Sequence, residues 1–195
     1  MGKAYSIPKV IAKKFKTLQI GGEWEKIIGT PELTGSWLIY GGPKNGKTSF
    51  AMQLSKYLAQ FGRVAYNSVE EGLSLTMQKA IERNDMIEVT GRWNLIDKED
   101  KKSLIARLEK QRSPEIIIID SVQFWGITIK DYKELKMRFP DKLFIYISHI
   151  KGNDPDGTAA IAIKRDANVV FKIEGFRAFT TSRYGGEGYL DVWAE

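Results

Sequence analysis

Cysteine is absent from all 195 residues, and histidine occurs once. No disulfide, thiolate zinc site or cysteine nucleophile is therefore available, and a lone histidine leaves little for a metal cluster. No apolar run approaches the 18 residues that a spanning helix needs. The opening stretch Met1-Gly2-Lys3-Ala4-Tyr5-Ser6-Ile7-Pro8 lacks the apolar core of a signal peptide. The expectation is a cytoplasmic chain without a membrane role. Internal repeats and low-complexity segments are also missing, and a hydrophobic content of 43% gives no hint of disorder. One domain over residues 1–195 is the simplest reading, with residues 1–30 as a basic lead-in. Thirty basic residues against 24 acidic ones leave a net charge of +6 and a pI near 9.3. That balance suits a polyanionic partner, and equally a merely soluble basic surface.

Against this background one segment stands out. Gly41-Gly42-Pro43-Lys44-Asn45-Gly46-Lys47-Thr48 matches the phosphate-binding pattern G-x-x-x-x-G-K-[ST] in full. Before it, Ser36-Trp37-Leu38-Ile39-Tyr40 reads as a buried strand. After it, Phe50, Leu54, Tyr57, Leu58 and Phe61 recur at helical spacing until Gly62. The motif thus sits in the strand–loop–helix context it requires, and a nucleoside triphosphate is the expected ligand. Gly41 and Gly46 are expected to adopt backbone angles closed to other residues and to turn amides inward at a helix N-terminus. The cradle runs from Gly41 and Gly42 through Pro43, Lys44, Asn45 and Gly46 to Lys47, Thr48 and Ser49. Lys47 is expected on the β- and γ-phosphates, and the Thr48 hydroxyl on magnesium.

Residues 63–68, 92–96, 115–121 and 142–149 read as further strands. Helices are expected over residues 73–84 and from Glu99, where Leu104, Ile105 and Leu108 share a face. This alternation predicts a mostly parallel sheet. Residues 168–173, 178–183 and 189–193 are strands separated by glycine turns, and should lie antiparallel at one edge. In the lead-in, Lys9, Lys13, Lys14 and Lys16 alternate with apolar residues, followed by a short amphipathic helix. It is either an arm for a partner or a segment that packs Ile7, Val10, Phe15, Leu18 and Trp24 onto the core.

Ile116-Ile117-Ile118-Ile119 ends in Asp120, a carboxylate placed to hold magnesium, usually through water. Glu70 and Glu71 follow the second strand, whose C-terminal end should face the same crevice. Glu70, nearer the strand end, is the expected base that orients water. Glu71 either assists or caps the helix that follows, since acids favour a helix N-terminus. His149 ends the strand after Asp120, close to the γ-phosphate side, and precedes a glycine- and aspartate-rich stretch over residues 151–160 that reads as a mobile loop.

Taken together, Gly-Gly-Pro-Lys-Asn-Gly-Lys-Thr, Asn-Ser-Val-Glu-Glu-Gly, Ile-Ile-Ile-Ile-Asp-Ser-Val-Gln and Ile-Ser-His-Ile-Lys resemble, in order, the motifs of the RecA-type ATPases. The likeness is strongest to the RadA (Sms) and DnaB-helicase branch, with KaiC as a cousin, and covers roughly residues 22–195. The resemblance implies a three-layer α/β RecA-like P-loop NTPase with C-terminal antiparallel edge strands. It also implies ATP and Mg2+, a catalytic Glu70, a polar sensor at His149, and DNA-contacting loops over residues 123–130 and 151–164. Thr181-Ser182-Arg183-Tyr184-Gly185 is similar to the family's Lys-Asn-Arg-Phe-Gly element, which implies that Arg183 reaches a neighbouring subunit's γ-phosphate. Thr181 replaces the family's lysine, with Arg177 or Lys172 as substitutes.

Two loops and a basic charge favour a DNA-dependent ATPase on single-stranded DNA in recombination, repair or replication. It would work as a hexameric ring or filament with a replication or recombination partner. Phe124 and Trp125 would either stack on bases or pack in the core. A KaiC-like regulatory ATPase working through a protein partner is the alternative. A small-molecule or nucleotide kinase is a third, although the arginine-rich lid it would need is not found in the sequence.

Overall fold

The structure, a computed structural model, describes residues 3–192. Its framework follows from four short apolar strands that cannot face water on either side. In chain order, α1 (Ile7–Ile11) and α2 (Gly22–Ile28) precede β1 (Gly35–Gly41), α3 (Lys47–Leu58) and β2 (Val64–Ser68). Next come α4 (Leu75–Arg83), a 3-10 turn (Met86–Val89), β3 (Trp93–Asp97), α5 (Lys101–Leu108) and β4 (Ile116–Asp120). Two helices follow, α6 (Val122–Trp125) and α7 (Ile129–Arg138), then β5 (Leu143–Ser148) and a small hairpin of β6 (Ile150–Lys151) and β7 (Asp154–Pro155). The described chain closes with α8 (Thr158–Asp166), β8 (Val169–Glu174), β9 (Arg177–Ser182) and β10 (Glu187–Asp191).

Eight strands form one sheet in the order β10-β9-β8-β1-β5-β4-β2-β3. Strands β8 through β3 of that order run parallel, and β9 and β10 are antiparallel at the edge. This is the mixed α/β sheet expected from the alternation. Successive side chains on each central strand point to opposite faces. Trp37, Ile39, Ile116, Ile118, Ile145 and Ile147 pack with α2, α3 and α4 on one side. Leu38, Tyr40, Ile117, Ile119, Phe144 and Tyr146 pack with α5, α7 and α8 on the other.

Local chemistry sets the helix starts. Ser74 accepts the Met77 amide, Asp100 accepts the Ser103 amide, and Thr128 with Asp131 forms a full capping box. The expected helix over residues 73–84 is shorter than predicted, because its cap is Ser74. Strand ends differ from expectation by one or two residues, within the fraying of any such boundary. Trp193, the end of the last predicted strand, lies outside the described residues.

The lead-in divides where its apolar residues meet the core. Leu18 is buried, and Trp24 stacks on Tyr57 at 5.2 Å. Ile7, Val10 and Phe15 are 75%, 55% and 54% exposed, so the packing alternative does not hold for these three. Helix α1 is one turn and a half of chain with no core residue within it. By contrast α2 is locked against the β9–β10 turn. The Ser182 hydroxyl donates to the Ile28 carbonyl at 2.5 Å, and a Cβ on Gly186 would lie 2.3 Å from the Ile28 carbonyl carbon.

Parallel alignment brings the C-terminal ends of β1, β2, β4 and β5 to one edge of the sheet. Gly41, Ser68, Asp120 and Ser148 therefore end side by side, and the segments after them share one crevice.

Candidate active site

The loop after β1 is shaped by two different glycine requirements. Gly46 caps α3 with φ at 93°, in the left-handed region. Gly41 has no such angle; a Cβ there would lie 2.3 Å from the Ile173 carbonyl oxygen, so close approach to β8 excludes a side chain. The expectation of unusual angles thus holds at Gly46 and is corrected at Gly41. Lys44 takes the second left-handed position in the loop, at φ 58°. Asn45 braces the turn: its amide donates to the Pro43 carbonyl and its oxygen accepts the Gly175 N–H, both at 3.1 Å. Pro43 and Lys44 lie on the exposed outer arc, Gly42 and Thr48 are half-buried, and Ser49 is buried at the helix start. Lys47 Nζ donates to the Gly42 carbonyl at 2.7 Å. Burial lowers its pKa, while Asp120 and Glu70 oppose that shift.

Opposite the loop, the backbone of β4 fixes the acid that follows β2. The Asp120 carbonyl accepts the Val69 N–H at 2.7 Å and the Glu70 N–H at 2.9 Å. Glu70 is thereby folded onto the end of β4, where its Oε2 accepts the Ser121 hydroxyl at 3.0 Å and lies 3.0 Å from His149 Nε2. Glu71 turns the other way and accepts the Thr76 hydroxyl at 2.6 Å, at the first turn of α4. The two acids are adjacent in sequence and differ in partners: Glu70 meets Ser121 and His149, and Glu71 meets Thr76 on α4.

Asp120 is buried, and its pKa is pushed up to about 6. Burial is the main cause; the hydrogen bond from Tyr66 opposes it, Glu70 and Glu71 add to it, and Lys47 opposes it. Among the described residues no three histidine or acidic side chains gather to hold an ion by themselves. Magnesium in a phosphate site takes most of its ligands from phosphate and water, so one hydroxyl and one carboxylate are what the protein must supply. Thr48 and Asp120 fit that donor set, and a cation would relieve the buried carboxylate.

His149 is the hub of a second network. Its N–H donates to Gln123 Oε1 at 3.1 Å, and its carbonyl accepts the Asp156 N–H at 2.9 Å and the Ser148 hydroxyl at 2.8 Å. Gln123 Nε2 donates to Ser148 Oγ at 2.8 Å and to the Asp156 carbonyl at 2.6 Å. The stretch read as a mobile loop is thus a hydrogen-bonded hairpin followed by α8, and residues 123–130 are largely helix. Phe124 is 60% exposed with its ring 6.1 Å from His149, while Trp125 is buried and donates to the Glu99 carbonyl. Trp125 therefore packs in the core, and Phe124 does not. Sequence reasoning places Gln123 only at the start of an implied DNA-contacting loop and does not single out Tyr66. Only the Gln that follows Asp-Ser-Val offers a signal for the first, and none exists for the second.

Arg183 lies elsewhere. It follows β9, with its N–H on the Asn168 carbonyl and its Nη2 donating to the Arg165 carbonyl at 3.0 Å. Asn168 in turn is level with Ser36, five residues before Gly41, which places Arg183 about 16 Å along the sheet from its own phosphate loop. Within one chain it does not reach the site. The two suggested substitutes are in surface ion pairs, Lys172 with Glu174 and Arg177 with Asp191, each at 2.8 Å.

The mostly parallel sheet with antiparallel edge strands and a glycine loop after β1 has the RecA-like P-loop NTPase fold. No protein-family profile matches the chain. Its likeness to known proteins agrees with the fold. It is 30% identical over 102 residues to the DNA repair protein RadA of Streptococcus pneumoniae, a match covering 52% of this chain and 23% of that protein. The chain therefore spans under a quarter of the relative's length. The flagellar accessory protein FlaH of Methanocaldococcus jannaschii superposes with a TM-score of 0.61 at 16% identity, covering 91% of this chain and 92% of that one. A KaiC-like protein of Pyrococcus horikoshii gives 0.56 at 17% identity, covering 87% and 88%. Among the described residues no helix is long and apolar enough to cross a membrane.

Proposed function

We propose that this chain binds ATP with Mg2+ and hydrolyses it as a RadA-like motor core on single-stranded DNA, assembled as a ring or filament. The observation that carries this reading is the direct bond between the Glu70 carboxylate and His149, whose backbone is joined through Gln123 and Asp156 to an exposed hairpin. A ligand held at that hairpin and at Phe124 would act on the base through one side chain. The net charge of +6 and the similarity to a DNA repair protein support a nucleic-acid ligand.

In this mechanism Lys47 would neutralise charge on the phosphates, and Thr48 and Asp120 would hold the metal. When bound, magnesium would supply charge neutralisation on the phosphates. Glu70, with its second oxygen clear of the Ser121 and His149 bonds, accepts a proton from water and orients it. Arg183 acts from a neighbouring subunit. Mixing Lys47→Ala and Arg183→Ala proteins, each deficient alone, should restore turnover at sites that combine an intact loop with an intact arginine. A mixture no more active than its components would remove Arg183 from the site.

The reading is tested by steady-state ATP hydrolysis with and without single-stranded DNA at low and moderate salt, with Lys47→Ala as the blank. The expected result is stimulation by DNA that weakens as salt rises. Turnover indifferent to DNA would favour a KaiC-like regulatory ATPase with a protein partner. That second reading is supported by the exposed apolar residues Ile7, Val10 and Ile11 on α1.

A further inference from the structure

Tyr66 lies wholly within the core, one strand away from the proposed metal site, and carries a polar atom that the packing does not need. Its ring sits 5.7 Å from that of Trp93, and Trp93 Nε1 donates to Ser55 Oγ on α3, the helix that begins with Lys47 and Thr48. Trp93, which packs on the Tyr66 ring, is thus itself tied to α3. The Tyr66 hydroxyl donates to Asp120 Oδ2 at 2.5 Å, and among the described residues Oδ1 takes no hydrogen bond. A phenylalanine would fill the same space, so the hydroxyl is the part that calls for an explanation.

We propose that Tyr66 is a positioning residue for the metal: by occupying Asp120 Oδ2 it fixes the carboxylate plane and leaves Oδ1 for the hydrated ion. The inference rests on the ATP–magnesium reading. A buried carboxylate with one oxygen committed has fewer orientations than one with both free, and a hydrogen bond to a ligating or near-ligating carboxylate tunes metal affinity. The hydroxyl touches neither phosphate nor water in this scheme, so its effect passes through Asp120 alone.

The test is Tyr66→Phe, assayed by fluorescence titration of an ATP analogue in EDTA and across a magnesium series. Nucleotide affinity in EDTA should be unchanged, while the half-saturating magnesium concentration rises about tenfold and turnover recovers at high magnesium. In an Asp120→Asn background, which also removes the charge that the phenol serves, Tyr66→Phe should leave the magnesium dependence unaltered. A Tyr66→Phe protein that melts at a lower temperature but keeps the wild-type magnesium dependence would overturn the positioning role and leave the ATP reading standing. Wild-type protein whose nucleotide binding ignores magnesium would overturn both. Should the single variant fold poorly, the double variant, in which neither partner of the bond keeps its full demand, supplies the comparison.

Discussion

Asp120→Asn should stabilise the ligand-free protein at neutral pH by about 3 kcal/mol while reducing hydrolysis to background. The folded protein raises this carboxyl from its ordinary value of 3.8 to about 6, chiefly by burial. Between those two values the folded state binds the proton and the unfolded state releases it. The contribution is therefore fully present below about pH 4, is lost as pH rises through about 6, and stays lost at pH 7. Asparagine has no charge to bury and can still accept the Tyr66 hydroxyl. The difference in urea midpoint between wild type and variant, measured from pH 4 to 7.5, should open over that window. Adding Mg-ATP should narrow or reverse it, because a ligand that binds only the folded wild type stabilises it by mass action. A pH-independent difference would mean that Asp120 is not the buried charge described here. Such a trade of stability for function is common at active sites.

Glu70→Gln should lower ATP turnover by about a thousandfold with little change in nucleotide affinity. Glutamine keeps the length of the side chain and an oxygen to accept the Ser121 hydroxyl, but cannot take a proton from water. Glu71→Gln should leave turnover within about twofold, since its partner is Thr76 on α4 and a hydrogen bond of that kind contributes about 1 kcal/mol to local order rather than to chemistry. Single-turnover hydrolysis of the two variants separates them. A slow Glu71 variant beside a fast Glu70 variant would reverse the assignment of the base.

Features set by local contacts are legible in the sequence, and those set by distant contacts are not. The phosphate loop was legible because its chemistry is local: glycines, a lysine and a threonine within eight consecutive residues, between an apolar strand and a helix. Strands β1, β4 and β5 were legible because burial on both faces demands unbroken apolar runs. Helices α6, α7 and α8 were missed. The first is a single turn, the second carries alternate charges on its exposed face, and the third follows a glycine- and aspartate-rich stretch that reads as loop. Which of the two readings of the lead-in holds at Ile7, Val10 and Phe15 was not legible, because apolar residues in a sequence do not reveal whether a surface exists to receive them.

By itself the sequence determined the makings of a P-loop fold: a phosphate-binding motif at residues 41–48, a carboxylate at the end of a buried strand, and an alternating α/β order that closes into a mostly parallel sheet. All of these depend on neighbours in the chain or on strand-length apolar runs. Only the tertiary structure decided which of two adjacent acids meets His149 and Ser121, and where Arg183 lies. Glu70 meets His149 across 79 residues and Tyr66 meets Asp120 across 54. Such pairs are set by strand order and by parallel register, and a shift of one residue in β2 would turn Tyr66 to the opposite face of the sheet. That register is held by the shared packing of many side chains, a property of the assembled sheet that no short stretch of sequence contains.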